Sequence, residues 1–166
     1  MPEKWVSFLK KELRGLERLL VLGTGNALKA DDAAGLLVAS LLDRNLSRRQ
    51  KARIKTLRVY ELLESYHRRI RRLQPSHLII IDAVDMGRRP GSIMATRLEP
   101  GQKKKKVGGE FYLLLEKLAA ESSCRIYLVG IQPDSLDFGH PITPLVKEAC
   151  RQVAESLIQL ATGAGR

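Results

Sequence analysis

The stretch HLIIIDAVDMG, residues 77–87, decides the fold because a continuous apolar run ends there in a carboxylate. Residues 78–84 predict a strand, and an apolar run without alternation is typical of a parallel sheet that is covered on both faces. Asp82 closes this run, and Asp85 follows in the next turn. Turn chemistry alone explains Asp82 poorly, because a carboxylate directly after three isoleucines needs solvation or a cation.

The remainder of the chain alternates between strand-like and helix-like segments. Further strands are predicted over residues 19–23, 54–59, 91–97 and 126–130, and helices over residues 32–42, 61–73, 110–120 and 143–160. An amphipathic helix is predicted within residues 1–16, and GQKKKKVGG, residues 101–109, predicts a flexible basic loop. Together these segments predict an α/β fold: one domain over residues 1–166, with a doubly wound, mostly parallel sheet between helices on both faces.

Composition argues against several classes of protein. The sequence has no run of about 18 apolar residues, so no segment is expected to span a membrane. The N-terminal segment lacks the small-residue cleavage site of a secretory signal. Cys124 and Cys150 do not have a metal-ligand spacing, which is typical of reduced thiols in a cytoplasmic protein. We therefore expect a cytoplasmic location and no catalytic role for either thiol.

The net charge of +11 at pH 7 comes from clusters of Lys and Arg, including HRRIRR over residues 67–72 and KKKK over residues 103–106. Such an excess favours acidic partners, with nucleic acid as a non-specific ligand among them. A solvated basic surface is the simpler interpretation. Because no aromatic side chains are interleaved with the basic runs, a stacking platform for single strands is not expected.

A second acidic segment, GTGNALKADDAAG over residues 23–35, follows the first predicted strand. In open α/β sheets, ligands bind beyond the carboxyl ends of the strands, so Asp32 and Asp82 are expected to converge at one edge. Two carboxylates there suit a hard or borderline cation. Helix capping is an alternative for one of the pair Asp31 and Asp32. A dinucleotide site is disfavoured because Leu28 stands where the fingerprint needs its third glycine.

Three motifs in order resemble the hydrogenase maturation endopeptidases, which process the large subunit of nickel–iron hydrogenases. They are GTGNALKADDAAG, HLIIIDAVDMGRRPG and LVGIQPDSLDFGHPITP, and they span most of residues 19–160. DAVDMG and GIQPD are most similar to the branch that serves formate-linked and energy-converting hydrogenases. The resemblance implies a protease that removes a C-terminal tail from the large-subunit precursor.

The resemblance also implies roles for particular residues. Asp32 and Asp82 fall on the family's two acidic ligands, which contact nickel already inserted in the precursor, and they would be the catalytic and metal-binding pair. Nickel would therefore arrive with the substrate, and the free enzyme would hold no metal of its own. Gly25, Asn26 and Asp85 are expected to contact the substrate. A metal-polarised carbonyl or a metal-bound water would make the scissile peptide attackable.

The third ligand departs from the family pattern, because the family's histidine would lie in a stretch that has none between residues 95 and 139. His140 follows the strand over residues 126–130 and is one candidate for the replacement. Glu110 opens the helix from which the usual histidine would come and is another. His77 is expected at the opposite edge of the sheet, and His67 is expected to be a solvated helix residue.

Two alternatives to an active protease remain open at this point. A non-catalytic relative could dock the precursor and sense its nickel as a chaperone. A basic nucleic-acid-associated protein is the other, although nucleic-acid binding does not call for convergent carboxylates.

Overall fold

A computed structural model describes residues 3–60, 64–101 and 109–163 of the chain, and five strands in these residues form one sheet. The strands are β1 (Leu19–Thr24), β2 (Ile54–Val59), β3 (His77–Ala83), β4 (Ile93–Leu98) and β5 (Arg125–Ile131). Their order across the sheet is β2-β1-β3-β5-β4. All neighbours are parallel except β4, which pairs antiparallel with β5 at one edge. The predicted doubly wound, mostly parallel α/β fold is confirmed.

Helices cover both faces of this sheet. They are α1 (Lys4–Glu12), α2 (Ala34–Asn45), α3 (Arg48–Lys51), α4 (Glu64–Leu73), α5 (Gly109–Glu121) and α6 (Pro144–Gly163), and a 3₁₀ turn (Ala30–Ala33) precedes α2. Apolar residues of α1, α2 and α6 share one buried cluster, whereas those of α4 and α5 share a second cluster on the other face. None of the helices in the described part of the chain is both long and apolar enough to cross a membrane.

The strand β3 explains why the sequence adopts this layered arrangement. Residues His77–Ile81 are buried, and alternate side chains enter opposite clusters: Ile79 and Ile81 face α1, α2 and α6, whereas Leu78 and Ile80 face α4 and α5. Burial of one such side chain contributes about 1.5–3 kcal/mol. A strand that is apolar on both faces must therefore lie between two layers of helices.

All five predicted strands occur, and their bounds differ from the predicted ones by at most two residues. The larger differences between prediction and structure lie in the segments that connect the strands. The helix predicted from Asp32 starts as the 3₁₀ turn and becomes α-helical only at Ala34. Sequence reasoning missed the four-residue helix α3, which a capping box between Ser47 and Gln50 starts within the basic segment. Most of the predicted basic loop over residues 101–109 lies outside the described residues, and Gly109 begins α5.

Candidate active site

Close packing of α2 against the sheet brings the two predicted ligands together. A Cβ on Gly35 would lie 2.1 Å from the carbonyl oxygen of Ile81 and 2.4 Å from that of Thr24. A Cβ on Gly23 would lie 2.1 Å from the carbonyl oxygen of Gly35. Only glycine at these positions lets the helix approach the carboxyl ends of β1 and β3 so closely. The turn that carries Asp32 is thereby held beside the end of β3.

The GTGN turn wraps directly around Asp32. Gly25 has a φ of +148°, and a Cβ on it would lie 1.8 Å from the carbonyl oxygen of Asp32. The backbone N–H of Asn26 donates to Oδ2 of Asp32 at 3.1 Å. The side chain of Asn26 in turn accepts from the N–H of Leu28 at 2.9 Å. Gly25 and Asn26 therefore shape the turn around the carboxylate, and their contact with substrate stays a prediction.

Asp82 lies at the carboxyl end of β3, half-buried and close to Asp32. Burial, and secondly the nearby charge of Asp32, raise the pKa of Asp82 to about 7. The N–H of Ala83 donates to Oδ1 of Asp82 at 2.9 Å, and this bond and the Thr24 hydroxyl oppose the rise. Near neutral pH the Asp82 carboxyl can therefore hold or release a proton, and a cation between the two acids would favour the ionised form.

Asp31 has a role that the sequence analysis did not identify. Its side chain is fully buried, and its two oxygens accept from the backbone N–H groups of Asp134, Ser135 and Thr143. The hydroxyl of Thr143 also donates to it, at 2.9 Å. Asp31 thus fastens the loop after β5 and the start of α6 to the turn after β1. The expectation that Asp31 or Asp32 caps the helix that follows it is wrong, because neither makes such a bond.

Gln132, in the GIQPD motif, organises the loop after Asp82. It is 6% exposed, and its Oε1 accepts from the N–H of Met86 at 2.6 Å and from that of Arg88 at 3.3 Å. Its Nε2 donates to Oδ1 of Asp85 at 3.1 Å, and that oxygen also accepts from the N–H of Gly87. Asp85 therefore belongs to the internal bonding of the loop, while its predicted contact with substrate is untested. The sequence analysis used the GIQPD motif only for its family resemblance and assigned no role to Gln132.

The histidines occupy three different environments. His140 is exposed in the loop after β5, and His77 lies at the amino end of β3, at the opposite edge of the sheet. The expectation that His67 is solvated is wrong: it is 8% exposed, and its Nε2 lies 3.2 Å from a carboxylate oxygen of Glu121. Sequence pattern missed this because the partner lies on α5, on a distant part of the chain.

A complete three-ligand site is absent from the described residues. Within residues 3–60, 64–101 and 109–163, no three His, Cys, Asp or Glu side chains are grouped to hold a metal ion. Glu110 is the second residue of α5, and its side chain lies outside what the structure describes. His140 and Glu110 therefore both stay predictions.

The two thiols are unsuited to nucleophilic catalysis. Burial raises the pKa of Cys124 to about 11 and that of Cys150 to about 12. Neither thiol would be ionised at neutral pH, and a thiolate is the form that attacks. Neither thiol is therefore a candidate nucleophile.

Comparison with known proteins identifies the family. The family model described as hydrogenase maturation protease matches residues 61–160, which is well over half of the chain. This chain belongs to the hydrogenase maturation protease family. The matched segment contains Asp82 and Gln132 but begins after Asp32, so the match does not include that predicted ligand.

Individual members of the hydrogenase maturation protease family are similar over most of their length. The hydrogenase 3 maturation protease of Escherichia coli K12 is 29% identical over 147 residues, covering 83% of this chain and 87% of that protein. A crystal structure of the [NiFe] hydrogenase maturation protease HycI from Thermococcus kodakarensis superimposes with a TM-score of 0.82 at 24% identity, covering 94% of this chain and 99% of that one. The solution structure of the endopeptidase HycI from E. coli gives a TM-score of 0.70 at 27% identity, covering 83% and 87%.

Proposed function

We propose that this protein is an endopeptidase that removes the C-terminal tail of a nickel-loaded hydrogenase large-subunit precursor, and that Asp32 and Asp82 recognise the nickel. One observation carries the proposal. In a hydrogenase maturation protease, two carboxylates lie at the carboxyl edge of the sheet, where burial, and secondly the charge of Asp32, raise the pKa of Asp82 to about 7. Burial and a second negative charge both disfavour the ionised Asp82 in the free protein, and a cation bound there would offset them.

Nickel in this proposal is part of the substrate. Two carboxylates alone bind a borderline cation weakly, so the thiolate ligands of the precursor would have to supply the remaining affinity. The pair would then respond only to an ion that is already placed in the precursor. Bound between precursor and protease, the ion would polarise the scissile carbonyl or activate a water.

The experiment compares tail removal by matched variants. Nickel-loaded precursor is incubated with the wild type, Asp32→Asn, Asp82→Asn and the control Asp43→Asn, whose carboxylate lies exposed near the end of α2. Intact mass spectrometry follows loss of the tail. We expect cleavage by the wild type and the control, and a rate at least about a hundredfold lower for each ligand variant. Nickel-free precursor should stay intact.

A recognition-only role is the second candidate, because the described residues contain no complete three-ligand cluster. Failure of the wild type to release any tail, together with stable binding of nickel-loaded precursor, would favour such a chaperone and reject the protease. His140→Ala and Glu110→Gln test the third position. Loss of cleavage in one of them, with an unchanged melting temperature, would identify the missing ligand.

A further inference from the structure

Large apolar side chains on the described surface are concentrated at the edge of the sheet that carries Asp32 and Asp82. Four of them lie in the loops after β1 and β5 or in the first turn of α6. They are Leu28 at 67% exposed, Leu136 at 45%, Phe138 at 68% and Leu145 at 60%. We call these four residues the apolar rim. Exposed apolar groups gathered beside a functional site are typical of surfaces that contact another protein.

Hydrogen bonds fix the apolar rim to the proposed nickel ligand. The N–H of Gly139 donates to the carbonyl of Leu28 at 2.9 Å, which holds Phe138 and Leu28 on adjoining segments. Leu28 is bonded through its own N–H to Asn26, and Asn26 through its N–H to Asp32. The segments that carry Leu28 and Phe138 are therefore held in place before any partner binds, which lowers the entropic cost of docking.

A side-chain contact also holds Phe138. The ammonium group of Lys29 lies 5.5 Å from the centroid of the Phe138 ring, within the range of a cation–π contact. At the other end of the rim, the backbone carbonyl of Leu145 packs against Gly91, where a Cβ would lie only 2.9 Å away. Because Phe138 is already held by Lys29, its side chain loses less rotamer freedom when a partner covers it.

Under the proposed function, geometry determines which partner would cover this surface. A nickel ion held inside a folded precursor can reach Asp32 and Asp82 only if the surrounding surface of the precursor meets the loops beside them. The rim belongs to those loops. The net charge of +11 on the whole chain would also attract an acidic protein over a longer range.

We propose that the apolar rim is the docking surface for the folded body of the hydrogenase large-subunit precursor, and that it contacts an apolar patch there. This inference rests on the proposed function, and it assigns to the rim affinity for the precursor that is independent of nickel. Aromatic side chains are enriched at the centre of such contacts, and a few buried residues there carry most of the binding free energy.

The test uses two double variants. Leu28→Ser/Phe138→Ser alters the rim. Arg14→Ser/Glu17→Ser is the control, since these exposed side chains lie between α1 and β1, at the amino edge of the sheet, and their joint loss leaves the net charge unchanged. Circular dichroism and melting curves must show both variants to be folded like the wild type.

The main measurement is the Kd for nickel-free precursor, which is not a substrate for cleavage under the proposed function. We expect roughly tenfold to a hundredfold weaker binding for the rim variant and wild-type binding for the control. With nickel-loaded precursor, the rim variant should raise KM by a similar factor and leave kcat within about twofold.

Several outcomes would overturn the docking proposal. Equal Kd values for the two variants would do so, as would absence of precursor binding by the wild type. Sedimentation showing that the rim instead joins two copies of this chain, with precursor affinity unchanged, would also reject it. The proposed function fails separately: if the wild type releases no tail from nickel-loaded precursor but the rim variant still loses affinity, docking survives and proteolysis does not.

Discussion

The two edges of the same sheet pair their polar side chains differently. At the amino edge, the hydroxyl of Ser76 accepts from the N–H groups of Glu17 and Arg18, and the hydroxyl of Tyr127 donates to Glu12 at 3.1 Å, although the buried Nε2 of His77 has no hydrogen-bond partner among the described residues. At the carboxyl edge, burial, and secondly the nearby charge of Asp32, raise the pKa of Asp82 to about 7. Donors and acceptors in contact stabilise a fold, whereas a buried carboxylate beside a second acid does not. The carboxyl edge therefore keeps an unfavourable arrangement that a bound cation would relieve.

Asp31 contradicts a simple division between a stable edge and an unfavourable one, because it stabilises the carboxyl edge. Three backbone N–H groups and one hydroxyl donate to its buried carboxylate.

Asp31→Ala would leave those donors without a partner, and we expect the free energy of unfolding to fall by about 3 kcal/mol or more. Chemical denaturation measures this loss. The exposed Asp137→Ala is the control, expected within about 0.5 kcal/mol of wild type; a similar value for Asp31→Ala would show that the loop does not depend on it.

The raised pKa of Asp82 predicts how the stability of the carboxyl edge changes with pH. Its folded pKa of about 7 lies above the value near 4 of an unfolded aspartate, so the folded chain binds the proton more tightly. The contribution of the protonated Asp82 to the free energy of unfolding is complete below about pH 4 and is lost as the pH rises to about 7. Asp82→Asn should therefore gain roughly 3–4 kcal/mol relative to wild type between pH 4 and pH 8, because each pKa unit corresponds to about 1.4 kcal/mol. A stability difference that does not change with pH would contradict this account.

At the amino edge, the free energy of unfolding contributed by His77 should rise with pH, opposite to that of Asp82. Burial, and secondly the charge of Arg125, lower the pKa of His77, so the unfolded chain binds its proton more tightly. This contribution to stability is complete above about pH 6.5 and is lost as the pH falls below that value. His77→Gln should be less stable than wild type at pH 7, because His77 stacks on Tyr127 with ring centroids 6.2 Å apart. The gap should narrow towards pH 5 in thermal melts; a gap that widens there would show that His77 is not held neutral.

Local pattern was sufficient for the five strands of the sheet. A strand such as β3 must be buried on both faces because its apolar run has no polar alternation, and that property is written in consecutive residues. The place of Asp82 at the end of that strand follows from the same run. The approach of Asp32 could be expected from the general rule for strand ends in α/β sheets.

Contacts between distant segments could not be obtained in the same way. The burial of Asp31 depends on residues more than 100 positions away, and the burial of His67 depends on Glu121 in another helix. A helical pattern shows which residues share a face, but it does not show which other segment covers that face. The role of Gln132 was missed for the same reason, since the loop that it holds lies more than 40 residues earlier.

The sequence by itself determined the layered α/β fold, the two carboxylates at strand ends and, through its motifs, the resemblance to the hydrogenase maturation proteases. Those properties depend on neighbouring residues and on rules common to all open sheets. Only the tertiary structure decided how the carboxylates are held, because the packing of Gly35 against Ile81 and the bonds to Asp31 exist only once remote segments have met. The apolar rim also depends on the tertiary structure, because the exposure of its side chains is a property of the folded surface.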